Sequence, residues 1–278
     1  MFPKSRIDRF ILPFTAVLGM LYYAFLITNG TFNFFAHEAY GFVYNDMLLK
    51  LLRGRFDIEA AHIGVEGFYV DGKAYTYFGI APALLRLPFL PFADLETVQV
   101  SRPIVWALAT ASALIAQGMT LRICRGLQTS PPSTGLRLMM FLLVVMIWFA
   151  SPSVLLSANA TVYHEPIAVA YLLTLAFMAV VLRCAADDTP IERYPLILLA
   201  ILAGIAVHAR PHIAIALYAC VVAYCAIAYW TRFQRAWVVG EGGPGGAVFR
   251  TARAPGGSDP DPTAVRCRLS CGQLVPMG

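Results

Sequence analysis

Apolar residues in this chain come in long unbroken blocks, with no period-two alternation. The first runs from Phe10 to Thr28 without a charge, and such runs of ~17–20 apolar residues match a ~30 Å hydrocarbon core. Further blocks lie near Pro103–Leu121, Leu136–Ser153, Pro166–Leu182, Pro195–Val207 and Ile213–Trp230. A segment in lipid must satisfy its own backbone hydrogen bonds, which leaves helices or closed barrels, and the continuous runs select helices. The last two blocks are parted only by His208-Ala209-Arg210-Pro211-His212. One helix over both would be about 55 Å long at ~1.5 Å per residue, too long for a bilayer, so a tight hairpin turning at Arg210-Pro211 is expected. The expected fold class is all-α: a polytopic transmembrane helix bundle of about six spans, occupying 1–235, with a polar outer loop over 29–102.

That loop has its own pattern. From Glu38 to Leu52, Tyr40, Val43, Tyr44, Met47, Leu48, Leu51 and Leu52 repeat at helical spacing, with Asn45, Asp46 and Lys50 on the other side. This predicts an amphipathic helix lying in the membrane interface, ended by Gly54. Val70-Asp71-Gly72-Lys73, flanked by Phe68, Tyr69, Tyr75, Tyr77 and Phe78, predicts a short aromatic hairpin. Ile80–Phe92 is apolar but broken by Pro82, Pro88 and Pro91, which suits an interfacial or re-entrant segment.

Composition reinforces the membrane reading: 59% of residues are hydrophobic and 13% charged, against ~45–50% and ~25% in soluble domains. The net charge of +5 does not imply nucleic acid. Arg122, Arg125, Arg137, Arg183, Arg193, Arg232 and Arg235 fall at block ends on one side, with Lys4, Arg6 and Arg9 at the start. That asymmetry places the N-terminus in the cytoplasm and favours a signal anchor over a cleaved signal peptide. The six cysteines suggest neither a disulfide framework nor a metal site; Cys267 and Cys271, spaced C-x3-C, have no second pair. From 236 to 278 Gly, Pro and Arg dominate. Two readings stand for that tail, a disordered segment and an out-of-frame end of a longer membrane protein.

Candidate chemistry concentrates in Phe35–Phe92. His37-Glu38-Ala39-Tyr40 is followed by Gly54-Arg55-Phe56-Asp57 and then by the Pro-rich segment. This order resembles the first outer loop of the GT-C glycosyltransferases, the superfamily of bacterial mannosyl-, arabinosyl- and protein O-mannosyltransferase-like membrane enzymes. The resemblance covers about 1–235. It implies transfer of a sugar from a polyprenyl-phosphate donor on the outer face of a bacterial plasma membrane. It also implies a loop carboxylate that activates the acceptor or holds a divalent cation. The family's acidic residue at the first motif position is His37 here, so Glu38 is the first candidate for that role and Asp46 the second.

Such a transfer needs a base for the acceptor hydroxyl and cations for the leaving phosphate. Lys50, Arg86 and Arg210 are the candidates for the donor phosphate, with Arg53 and Arg55 close by in sequence. The alternative is an ordinary Asp46–Lys50 surface pair, arginines on anionic lipid, and Arg210 snorkelling from its turn. His37, His164 and Glu165 are candidates for the substrate cavity; Glu165 also suits a helix N-terminus through the dipole. Two other classes remain open at this level. A transporter would carry repeated halves and midplane charges, which the sequence lacks; a non-catalytic fragment would account for the small number of spans.

Overall fold

The computed structural model describes residues 6–126, 134–186 and 193–240. It is helical apart from one hairpin. α1 is Arg6–Ile27, and the next long helix, α5, is Ser101–Gly126. Between them lie α2 (Val43–Leu51), α3 (Ala60–Ile63), β1 (Phe68–Val70), β2 (Lys73–Tyr75) and α4 (Ala81–Leu84). After α5 come α6 (Thr134–Phe149), α7 (Pro152–Ser157), α8 (His164–Ala186), α9 (Arg193–Val207) and α10 (Pro211–Gly240). The chain divides into two compact units, Met1–Ala226 and Ile227–Gly278. In the second, the described residues are the last part of α10, where the Trp230 and Phe233 rings lie 6.1 Å apart. The tail expected to be disordered or out of frame lies, from 241 on, outside the described residues, as do Cys267 and Cys271.

α5 is the hub of the first unit and packs against α1, α6, α7 and α8. Where α1 meets α6 the helices nearly touch: a Cβ on Gly19 would fall 2.1 Å from the Trp148 ring, so only glycine fits. Trp148 is wholly buried, and its indole N–H donates to Gln117 Oε1 at 2.6 Å. Trp106 donates to the Met20 carbonyl at 3.0 Å. Both indoles therefore bury a large ring while keeping the polar atom satisfied.

Outside these seams the helices expose apolar side chains, among them Phe14, Leu21 and Phe25 on α1 and Leu138, Met139 and Met146 on α6. Three stretches, Ser101–Cys124, Thr134–Ser157 and His164–Cys184, are long and apolar enough to cross a membrane. Pro13–Ile27, Tyr194–Val207 and Pro211–Ile227 are apolar but shorter. Helices that satisfy their own backbone and present apolar surfaces fit lipid as the surrounding solvent.

Several boundaries differ from the sequence reading. The Leu136–Ser153 block breaks after Phe149, where Ser151 caps α7 by accepting from the Ser153 N–H at 3.3 Å, with Pro152 next. The hairpin forms where expected, with Val70 paired to Lys73 and Asp71 and Gly72 both at positive φ (50° and 74°). Positive φ at both central residues is the type I′ condition, which Asp-Gly meets at low cost. The α9–α10 turn also forms at 208–210. The helix expected over Glu38–Leu52 begins only at Val43, because Tyr40 adopts φ 58° and interrupts it. Its polar side does not face solvent. Asn45 is buried and donates to the Leu95 and Val98 carbonyls at 2.9 and 2.8 Å, and Lys50 is 8% exposed. The polar side of the amphipathic helix is thus covered by residues 57–59, 86, 95 and 98.

Candidate functional site

Arg86 is the centre of the connecting region. Its side chain is 0% exposed, and every guanidinium N–H has an acceptor. Nε donates to Asn45 Oδ1 (2.6 Å), Nη1 to the Pro82 carbonyl (2.9 Å) and to Glu165 Oε1, and Nη2 to Ser101 Oγ (2.9 Å) and Glu165 Oε2 (3.0 Å). The bidentate fork on Glu165 is the geometry for which Arg is suited. The guanidinium also lies 5.1 Å from the Tyr44 ring centroid, and the Tyr44 hydroxyl donates to the Val162 carbonyl at 2.9 Å. Burial, and then the Glu165 charge, push the Tyr44 phenol well above its usual range. One side chain thus ties α2, α4 and the starts of α5 and α8 together. With all five donors engaged, Arg86 has none for a donor phosphate. Glu165, also 0% exposed, belongs to the same closed pair and lines no open substrate cavity.

Lys50 is occupied as well. Its ammonium lies 3.0 Å from Glu59, 3.4 Å from Asp46 and 3.9 Å from Asp57. Asp57 also accepts from Arg55, and that hydrogen bond holds its carboxyl below the usual range. The hydrogen bond from Lys50 does the same for Glu59. Asp46 receives the Glu59 backbone N–H at 2.5 Å and faces His62 Nδ1 at 3.7 Å. These carboxylates converge on the Lys50 ammonium, and no group of three or more His, Cys, Asp or Glu placed to hold a metal ion occurs among the described residues.

Glu38 is half-buried and paired: Arg102 Nε and Nη2 both reach its Oε1 at 2.6 Å. Its backbone N–H donates to Gln99 Oε1 at 2.6 Å, and Arg102 Nη1 donates to the Asn33 carbonyl at 2.8 Å. The motif carboxylate is therefore braced to the start of α5. His37 is exposed, its ring 5.8 Å from Phe42. His164 Nδ1 lies 2.7 Å from Thr161 Oγ1.

Arg210 differs from the arginines of the connecting region and the start of α5. Arg53, Arg55, Arg86 and Arg102 each have a carboxylate within 4 Å. Arg210 has none among the described residues; Nη2 donates to the Tyr163 carbonyl at 2.9 Å, and its buried Nε has no partner. It is held in place by backbone. The Ala81 N–H donates to the His208 carbonyl at 3.0 Å, and a Cβ on Gly79 would lie 1.9 Å from that oxygen. Beside Arg210 is a group of tyrosines that the sequence reading did not single out as a site. The Tyr77 hydroxyl donates to Glu66 Oε2 at 3.2 Å. A hydrogen bond to Glu66, reinforced by burial, pushes the Tyr163 phenol up to about 12. Arg210 and Glu66 both act electrostatically on Tyr77.

Compared with known families, curated proteins and solved structures, the chain matches none.

Proposed function

We propose that the chain is an integral membrane glycosyltransferase of the GT-C type, moving a sugar from a polyprenyl-phosphate donor to an acceptor on the outer face. In this reading α1 and the five apolar segments after it are the six spans, the N-terminus is cytoplasmic, and 28–100 lies outside with the 208–210 turn. The observation that carries the proposal is the state of Arg210. It is a guanidinium with no carboxylate partner and an orphaned buried Nε, fixed at a turn between two apolar helices. A buried donor left without an acceptor costs ~1–3 kcal/mol, so a ligand oxygen there is favoured. At the membrane boundary the matching anion is a lipid phosphate. Arg210 would hold the donor phosphate and the charge that grows on it as the sugar leaves. Arg86 and Glu165 keep the loop in the shape that presents this site, and the Lys50 cluster braces the loop.

The test is transfer of a labelled sugar from polyprenyl-phosphate donors by the purified chain in proteoliposomes. Protein-dependent transfer is expected, reduced at least tenfold in Arg210→Ala. Absence of transfer from mannosyl, arabinosyl and glucosyl donors alike would overturn the reading.

A further inference from the structure

The carboxylates of the connecting region fall into two groups. Glu38, Asp46, Asp57, Glu59 and Glu96 each have a Lys or Arg within 4 Å. Asp71 and Asp94 are exposed, the first at the hairpin tip and the second bonded to its own turn through the Glu96 N–H and Thr97. Glu66 alone among the described residues of this region is half-buried with no cation within 4 Å. It is held instead by a phenol: the Tyr77 hydroxyl donates to Oε2 at 3.2 Å, and Glu66 in turn raises the Tyr163 phenol.

These groups come from elements far apart in sequence: the turn before β1, the strand exit after β2, and the entry to α8. The Tyr77 ring stays half-exposed, 4.3 Å from Phe78, whose other neighbours are Tyr163 (5.6 Å) and Tyr44 (6.0 Å). A carboxylate offers about four lone-pair positions, so one phenol donor leaves room for further hydroxyls. An exposed aromatic ring beside such a carboxylate can take the apolar face of a sugar while the carboxylate takes its hydroxyls. Arg210 adjoins the same group through the Tyr163 carbonyl, to which its Nη2 donates at 2.9 Å.

We propose that Glu66, with Tyr77 and Tyr163, is the acceptor-hydroxyl site, and that Glu66 rather than Glu38 takes the acceptor proton. The assignment rests on the glycosyl-transfer reading above. In the step it describes, the acceptor oxygen forms a bond to the sugar's anomeric carbon. The bond from that carbon to the phosphate oxygen breaks, and its electron pair leaves with the polyprenyl phosphate, whose added charge faces Arg210. The acceptor proton passes to Glu66, so the site gains one neutral carboxyl as the phosphate gains one negative charge. Glu38, braced by Arg102, positions the loop.

The experiment compares wild type, Glu66→Gln, Tyr77→Phe and Glu38→Gln for transfer from a polyprenyl-phosphate sugar in proteoliposomes, alongside polyprenyl-phosphate binding by each. Glu66→Gln is expected to lose ~10²–10⁴ in rate with donor binding within twofold of wild type. Tyr77→Phe, which keeps the ring and loses one donor, should lose a smaller factor in the same step. Retained donor binding shows that a variant is folded; if Glu66→Gln loses it, Tyr77→Phe decides, and an unchanged rate there overturns the assignment. A wild-type rate in Glu66→Gln with a collapse in Glu38→Gln overturns it while leaving glycosyl transfer intact. A wild type that transfers nothing removes the enzymatic reading and this assignment together.

Discussion

Replacing Arg86 by Met removes a group that is 0% exposed and strands a carboxylate equally buried. Five hydrogen bonds are lost, two of them to Glu165. Bonds to charged groups contribute ~1.5–3 kcal/mol each, but a simple sum would ignore the cost of having desolvated the ions. Measured losses on breaking a buried pair from one side are ~3–5 kcal/mol, and that is the expected destabilisation of Arg86→Met and of Glu165→Met. Replacing both with Met removes the desolvation cost along with the attraction, so the double variant should lie well short of the sum, with coupling of at least ~1 kcal/mol. Arg86→Lys keeps the charge but offers donors from a single point. It cannot serve Asn45, Ser101, the Pro82 carbonyl and Glu165 at once, and should lose stability too. Unfolding the purified protein with SDS in mixed micelles, followed by tryptophan fluorescence, measures each variant. Single variants within ~0.5 kcal/mol of wild type would refute the hub, since ordinary surface changes stay within that range.

Other consequences are open to separate checks. Gly79→Ala places a methyl against the His208 carbonyl and should cost ~1–3 kcal/mol in the same titration, whereas Gly118→Ala, with nothing within 4 Å, should cost nothing measurable. Tyrosinate absorbance during alkaline titration, compared with Tyr163→Phe, should show the Tyr163 phenol held to about 12, moving toward the ordinary 10.0 in Glu66→Gln. Because that phenol is raised on folding, its contribution to stability is full below the unfolded value and disappears as pH rises through about 12. Asp71→Cys, at the exposed hairpin tip, should react at the new thiol with a membrane-impermeant maleimide in sealed cells; reaction only after permeabilisation would invert the topology.

Local features were the most legible. The Asp71-Gly72 turn follows from residue types that tolerate positive φ, and the Arg210-Pro211 turn from the length limit on a membrane helix. The short helix α2 was legible as a helix but not as a covered one. Periodicity marks Asn45 and Lys50 as polar without revealing that carbonyls at 95 and 98 and a ring of carboxylates surround them. Arg86 and Glu165 both stand out as charges beside apolar segments. Their pairing joins residues 79 apart, and no local pattern encodes a contact of that range. The same holds for Glu66, which in sequence is one acidic residue before an aromatic hairpin. What separates it from Glu38 is the absence of a nearby cation, a property of the fold alone.

The central claim, that Arg210 offers an unpaired guanidinium to a lipid phosphate, is tested most directly by titrating polyprenyl phosphate against the wild type and Arg210→Ala in nanodiscs of neutral lipid, where no anionic headgroup competes. A charge-assisted contact of ~1.5–3 kcal/mol corresponds to ~10–150-fold in affinity, so the variant should bind at least tenfold more weakly, and the wild type should tighten as salt is lowered. Equal affinities in the two proteins would contradict the claim.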